Sequence, residues 1–476
     1  MRLLLSISPG DIPRIGESGS AVTLDPRILL FTLGISLLTG VFFGLAPAIS
    51  ESSPDLRASL NEHSGRSGMG LRHGKIRSLL VVSEVALSVV LVIGAALLIQ
   101  TFLKLQDVNP GFTTRNVLSA SMSITGSRFQ TTAPVAEIVR GGREHLMAVP
   151  GVLDAAASGC LPLQGCFGMG FDILERPKSE TPFTGMAGFF SVSWSYFSSF
   201  QIPLLRGREF TERDDRAAPG VVIINQAMAR QYWPESDPLR DRVLIGAGGP
   251  AFGEPPRQIV GVVGDTLDAG VRRDPFPTMY IPIAQMPDAV TALNSQVAPL
   301  WWVVRTSVNP YTLRTPIEAA LRNATGGMPV GHVRTMAEVE ARGTARERFN
   351  MLLLVIFGAA GLLMAAIGVY GVMSYSVQQR TRELGIRMAL GAKASNLRNT
   401  VIGQGMILAG LGVVLGLGGA FWLSRFLVSF LFGVKAWDPV AFAMTPLILS
   451  AVSLCAVWIP ARRATRVDPM SALRLD

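Results

Sequence analysis

Five stretches of this chain are long enough and apolar enough to cross a bilayer, and they constrain its fold more than anything else in it. About 20 apolar residues carry a helix through the hydrocarbon core. Residues 28–49, 78–103, 351–376, 399–424 and 439–461 meet that requirement. Only the second holds an internal charge, Glu84, about two helical turns from the basic end at Arg77. It can reach toward the headgroups or pair within the bundle. An ionisable residue in a span is a functional candidate by default, but at this shallow depth the structural reading leads. Composition agrees with a membrane protein: 16% of the 476 residues are charged, against about 25% in soluble chains.

Orientation follows from where Lys and Arg lie. Residues 50–77 carry Arg57, Arg66, Arg72, Lys75 and Arg77; residues 377–398 carry Arg380, Arg382, Arg387, Lys393 and Arg398. The tail carries Arg462, Arg463, Arg466 and Arg474. All three segments are predicted to be cytoplasmic. The link 425–438 has only Arg425 and Lys435 and is predicted outside, as are residues 1–27 and the region from about 104 to 348. The five spans then alternate without conflict. Most of the net charge of +9 reads as topology, so nucleic-acid binding is not needed to explain it. Residues 1–27 lack the basic, apolar and small-residue regions of a signal peptide.

The large region reads as mixed α/β. "APGVVIINQAMARQYWP" (218–234) predicts a buried strand and then an amphipathic helix stopped by Pro234. "RQIVGVVGDTL" (257–267) and "PLWWVVRTSV" (299–308) predict strands. "GVVGD" is no phosphate loop, for it lacks GxxxxGK[ST]. There is no GxSxG and no HExxH, and no Ser/His/Asp set can be argued from spacing, so the chain is not expected to be an enzyme. Asp214 and Asp215, in "TERDDRAAPG", read as solvated turn residues. No CxxC or HxxxH spacing appears, so no metal site is expected. Cys160 and Cys166 are close enough for a disulfide if their region faces an oxidising compartment; the other reading is two small buried thiols.

An internal repeat sets the organisation. "APAISESSPDLRASL" (46–60) leaves the first span, and "IPARRATRVDPMSAL" (459–473) leaves the last. Laid over each other without a gap, Pro47 meets Pro460, Ala48 meets Ala461, Asp55 meets Asp468 and Leu60 meets Leu473. One unit is therefore a span, a large outer domain and three more spans. Residues 78–476 make one such unit: a span at 78–103, an outer domain at 104–348 and a three-span domain at 349–476. Residues 1–60 are expected to be the tail of a preceding unit, joined by a basic linker at 61–77. The fold class is thus a polytopic α-helical membrane protein with a large extracytoplasmic mixed α/β domain.

Between the third and fourth spans lies "QQRTRELGIRMALGA" (378–392). Arg380, Arg382, Glu383 and Arg387 would together cost roughly 10 kcal/mol in mid-membrane, at about 2.5–3.5 kcal/mol each, so the stretch must surface. Leu384 and Met388, and Ile386 and Leu390, stand at i,i+4 spacing on a predicted short amphipathic helix, with Gly391 placed to end it. Periodicity leaves two readings open: a loop that fixes orientation, or a docking helix.

These segments resemble a known family. "RSLLVVSEVALSVVLVIGAALLIQTFLKLQDVNPGF", "YFSSFQIPLLRGREFTERD", "VVIINQAMARQYWP", "IVGVVGD", "RTRELGIRMALGA" and "PARRATRVDPMSALR" are similar to segments of the MacB/FtsX-type permeases of ABC transporters, most of all the duplicated permeases of acidobacteria. "DIPRIGE" and "LDPRILLFTLGISLLTGVFFGLAPA" are similar to the close of their first half. The resemblance implies a bacterial inner-membrane subunit with its outer domain extracytoplasmic and its C-terminus cytoplasmic. It implies that 378–392 is the coupling helix that docks on a separate cytoplasmic ATPase. ATP is then held by that partner, and no cofactor is expected in this chain. Arg380, Arg382 and Arg387 would pair with partner carboxylates. Leu384, Met388 and Leu390 would enter a groove, Gly385 would allow close approach, and Glu383 would pair with Arg387 or with the partner. The implied function is an exporter permease that passes ATPase motion to its outer domain. The alternatives are a regulator of an extracytoplasmic enzyme such as a cell-wall hydrolase, or a fragment without activity. The implied partners are the ATPase, membrane lipids, a second permease unit or a missing N-terminal half, and a periplasmic adaptor or enzyme.

Overall fold

The computed structural model describes residues 26–27, 29–37, 70–177, 182–246, 255–390 and 392–465. Among them four helices are long and apolar enough to cross a membrane. Of the expected span at 28–49, residues 29–37 are helical and the rest lies outside the described residues, as does most of the 46–60 and 459–473 repeat. The chain divides into two compact units, Asp107–Ala345 and the residues on either side of it.

The membrane unit begins with α1 (Gly70–Gln106). The outer unit follows, with β1 (Val117–Met122), α2 (Thr132–Met147), β2 (Val152–Ser158), β3 (Phe167–Ile173), β4 (Gly185–Val192), α3 (Tyr196–Phe200), β5 (Leu204–Gly207) and β6 (Val221–Asn225). It continues through α4 (Gln226–Tyr232), β7 (Arg242–Ile245), β8 (Arg257–Val263), β9 (Thr278–Pro282), α5 (Asp288–Val297), β10 (Leu300–Thr306), α6 (Arg314–Thr325), β11 (Val330–Thr335) and α7 (Met336–Gly343). The membrane unit resumes with α8 (Ala345–Gln379), α9 (Thr381–Ala389), α10 (Ala394–Leu427) and α11 (Pro439–Ala464). Each spanning helix runs a few residues past its apolar stretch, because backbone hydrogen bonding continues into the headgroup zone after the apolar side chains stop.

In the membrane unit, α1 presents Val81, Val85, Val89, Ile93 and Leu97 at a spacing of four, all buried. They meet Val369 and Met373 of α8, Val413 and Ala420 of α10, and Leu449 and Val457 of α11. Lipid gives no hydrophobic drive between helices, so close packing must hold them. The glycines supply it unevenly. A Cβ at Gly412 would stand 2.6 Å from Val85 Cβ, and one at Gly416 would stand 2.6 Å from Val89 Cβ, while Gly410 and Gly418 have nothing within 4 Å. Ser88 Oγ donates to Gly361 O on α8 at 2.7 Å. The Glu84 carboxylate turns inward against Gly368, which has no side chain to displace it. At the opposite end of the bundle, Asp438 Oδ1 accepts from Val440 N–H (3.0 Å) and Ala441 N–H (3.2 Å), and caps α11.

The outer unit has two halves. In the first, β11, β1, β10 and β2 form an antiparallel sheet. Helix α2 packs on it through Val135, Ile138 and Val139, and α6 through Ile317 and Leu321. Trp302 of β10 is fully buried there, its indole seated against Gly142 of α2. In the second, β4 pairs with β3, and the ladder passes through β7, β8 and β6 to β9. Strand β9 then pairs in parallel with β4, so the six strands close on themselves. Their interior holds Phe171, Phe189, Ile224, Ile245, Ile259 and Met279. Closure removes exposed edges that would otherwise recruit other strands. The two halves join at Ser158 opposite Val192.

"VVIINQAMARQYW" forms β6 and α4, with Asn225 Oδ1 capping Met228 N–H at 2.9 Å. One expectation changes, and of the two readings of Cys160 and Cys166 the disulfide is the one found. Asp214 is only 6% exposed, not solvated: Arg208 grips both of its oxygens at 2.8 Å, and Thr211 N–H donates to it. These donors hold its carboxyl below the usual range despite burial. Cys160 and Cys166 form a disulfide, with Cα atoms 5.7 Å apart. The loop between them is pinned by Gly165 N–H donating to Asp268 O at 2.8 Å.

Asp268 is itself 7% exposed. Its Oδ1 lies 2.9 Å from Thr266 Oγ1, and its Oδ2 lies 3.1 Å from Thr278 Oγ1. Burial outweighs these hydroxyls and pushes its pKa up to about 7.

Candidate functional site

The stretch that must surface is a helix set off at both ends. Helix α8 stops at Gln379, and Arg380 leaves helical geometry (φ −103°, ψ 13°). Thr381 Oγ1 donates back to Val377 O at 3.0 Å, joining the Arg380 N–H (3.2 Å) on that carbonyl at the helix end. Helix α9 then runs for nine residues. Glu383 in its first turn and Arg387 in its last complement the helix dipole and form an exposed i,i+4 ion pair. Leu390 N–H closes the helix on Ile386 O at 2.9 Å. Lys393 is extended, and α10 begins at Ala394.

The faces of α9 divide its apolar residues. Met388 packs against the core of its own bundle, so it is not free to enter a partner's groove as expected. Residues two apart do not share a helix face. Ile386 and Leu390 are therefore turned away and exposed, Leu390 by 83%. Arg382, Leu384 and Gly385 lie on α9, but their side chains are outside the described set, and Gly391 lies outside the described residues. Arg380 turns back toward the bundle, its Nη1 donating to Gln404 Oε1 of α10 at 3.4 Å.

Cations on aromatic rings gather at this end. The Arg77 guanidinium sits 4.1 Å from the Tyr375 ring centre, and that of Arg398 sits 5.4 Å from the Trp458 ring. Arg463 Nη1 donates to Tyr370 Oη at 3.2 Å. Aromatic rings favour the membrane–water interface, and arginine extends beyond it. No sequence spacing brings Arg398 to Trp458; the antiparallel helices do. Among the described residues no three His, Cys, Asp or Glu side chains group to hold a metal.

Residues 78–324 match the model of the MacB-like periplasmic core domain, and residues 355–469 match that of the FtsX-like permease C-terminal region. The chain belongs to the MacB/FtsX-type ABC permeases. The permease is 27% identical over 291 residues to the macrolide export ATP-binding/permease protein MacB of Azoarcus sp. strain BH72, covering 60% of this chain and 42% of that one. It is 27% identical over 286 residues to the pyoverdine export ATP-binding/permease protein PvdT of Pseudomonas savastanoi pv. phaseolicola, covering 58% of this chain and 40% of that one. It thus spans about two fifths of the length of these curated relatives. Among solved structures, the periplasmic region of MacB from Actinobacillus actinomycetemcomitans aligns with a TM-score of 0.32 at 13% identity, covering 50% of this chain and 96% of that one. The permease is a membrane protein carrying a MacB-like periplasmic core domain.

Proposed function

We propose that the permease is the transmembrane subunit of an ABC-type exporter, and that α9 docks on a separate ATPase. The observation that carries this reading is the exposed apolar pair Ile386 and Leu390 on a short helix set off from both neighbouring spans. An apolar pair at i,i+4 beside a charged pair suits helix-in-groove docking. These 476 residues contain no GxxxxGK[ST] sequence, so in this reading ATP is bound outside them. Excess Lys and Arg at the α9 end support a cytoplasmic position for that end, at the bacterial inner membrane, with Asp107–Ala345 outside. ATP-driven movement of the ATPase displaces α9, the tightly packed spans follow, and the outer unit changes its setting on cargo or on an adaptor. A second permease unit completes the transporter.

Gentle isolation of the permease from native membranes tests this reading. A nucleotide-binding subunit should accompany the unaltered protein and be lost with Ile386→Asp/Leu390→Asp, whereas Gly410→Ala should keep it. A folded permease that brings no ATPase, or brings it equally with the double variant, overturns the assignment of α9.

A further inference from the structure

The membrane unit holds a cleft of about 650 Å³ at the α9 end, between α1, α8 and α10, within the range of about 300–1,000 Å³ found for small-molecule sites. Its rim is basic and polar. Arg77, braced over Tyr375, and Arg380, held by Gln404, both line it. Among the described residues neither guanidinium has a carboxylate partner. Tyr375 is itself fixed by Gln379 Nε2, which donates to its hydroxyl at 2.9 Å. Stacking occupies the face of the Arg77 guanidinium and leaves its in-plane N–H donors for an anion.

Below the rim the wall turns apolar along α10: Ile407, Leu411 and Leu415 line the cleft and are 64%, 53% and 62% exposed. From Gln404 to Leu415 is eleven residues of helix, roughly 16 Å at 1.5 Å per residue. Half of a hydrocarbon core of about 30 Å is about 15 Å. The cleft therefore offers two cations at the headgroup level and an apolar track that ends near the midplane. We propose that it is a site for one acidic phospholipid, with its phosphate between Arg77 and Arg380 and an acyl chain along Ile407, Leu411 and Leu415. A free phosphate would leave the apolar track uncovered, and a zwitterionic lipid would bring a cation to the two arginines. The proposed function decides only which leaflet supplies the lipid; the site itself does not depend on it.

Native mass spectrometry of the delipidated full chain tests the site, using phosphatidylglycerol and phosphatidylethanolamine with matched acyl chains. Each arginine near the membrane surface contributes about a fivefold preference for acidic lipid, so the pair predicts about a 25-fold preference. One phosphatidylglycerol should bind each chain with that preference. Arg77→Gln/Arg380→Gln should abolish the preference, and Arg77→Lys/Arg380→Lys, which keeps the charge, should retain most of it and confirm that the fold survives. Arg462→Gln should change nothing, and Leu411→Trp should weaken both lipids by filling the track. An unchanged preference in Arg77→Gln/Arg380→Gln overturns the proposal, as does an equal fall in Arg462→Gln. Displacement of the lipid on dimerisation would show a second copy of the chain in the cleft and would also overturn it. No ATPase enters this readout, so failure of α9 docking leaves it intact.

Discussion

Asp268→Asn should remove a pH dependence of stability from the outer unit. The hydrogen bonds around Asp268 run in one direction only when the acid is neutral. Tyr280 Oη lies 3.0 Å from Thr266 Oγ1, and the Thr266 hydroxyl can donate to Asp268 Oδ1. Protonated Oδ2 then donates to Thr278 Oγ1, whose single proton goes to Phe276 O at 2.9 Å. Ionised Asp268 must instead accept from the Thr278 hydroxyl, and Phe276 O is left with the Asn225 amide as its side-chain donor. The folded pKa of about 7 lies above the unfolded value of about 3.9. The native state therefore holds the extra proton between these values, and stability falls as pH rises through that window. Between pH 5 and pH 8 the loss is about 2.5 kcal/mol. For a domain of this size it lowers Tm by about 5–10 °C. Unfolding of the detergent-solubilised permease, followed by tryptophan fluorescence with hydrogen exchange of the β9 peptide, reads it. Asn supplies an N–H where the neutral acid has its O–H, so the variant should hold its Tm across the same range. Equal pH slopes in the two proteins, or a wild type more stable at pH 8 than at pH 5, would refute the reasoning.

Three further outcomes follow from the packing. Gly412→Ala and Gly416→Ala should force α10 from α1 and cost about 1–3 kcal/mol each as overpacking, lowering the detergent Tm, whereas Gly410→Ala should be neutral or slightly stabilising. Replacing Cys160 and Cys166 by Ser should cost about 2 kcal/mol, as expected for closing a short loop; the Tm of the wild type in dithiothreitol should fall to that of the variant. Gly142→Ala would drive a methyl into the buried Trp302 ring, so the outer unit should lose about 3 kcal/mol or fail to fold, visible as exposed tryptophan fluorescence.

What the sequence reveals depends on how local the cause is. The spans declare themselves because hydrocarbon selects composition over a single uninterrupted stretch. Strand β6 and helix α4 are legible because "VVIIN" carries both the apolar run and its own cap, Asn225. The closure of the six strands is not, since β4 and β9 pair across roughly 90 residues and no local pattern records a parallel partner. Asp214 sits in a turn-rich stretch, and only the fold shows that Arg208 encloses it. In the candidate site, the break at Arg380 and the ion pair of Glu383 with Arg387 follow from short-range spacing. The inward turn of Met388 and the hold of Gln404 on Arg380 follow from the packing of α10. The glycine-rich run on α10 signals close approach, but not that Gly412 and Gly416 do the packing while Gly410 and Gly418 stand free.

The seam between α1 and α10 has a consequence for how the protein is made. Its two sides are separated in the chain by roughly 290 residues, which include the whole outer unit and helices α8 and α9. At about 5–20 residues per second, ribosomes take about 15–60 s to cross that interval. Throughout it α1 resides in the bilayer with Val85 and Val89 facing lipid rather than Gly412 and Gly416. The outer unit has time to be exported, to form its disulfide and to close its strand ring before the bundle exists. Biogenesis of this permease is thus ordered by its gene: the outer unit is finished first, and the remaining spans are assembled around a helix already waiting.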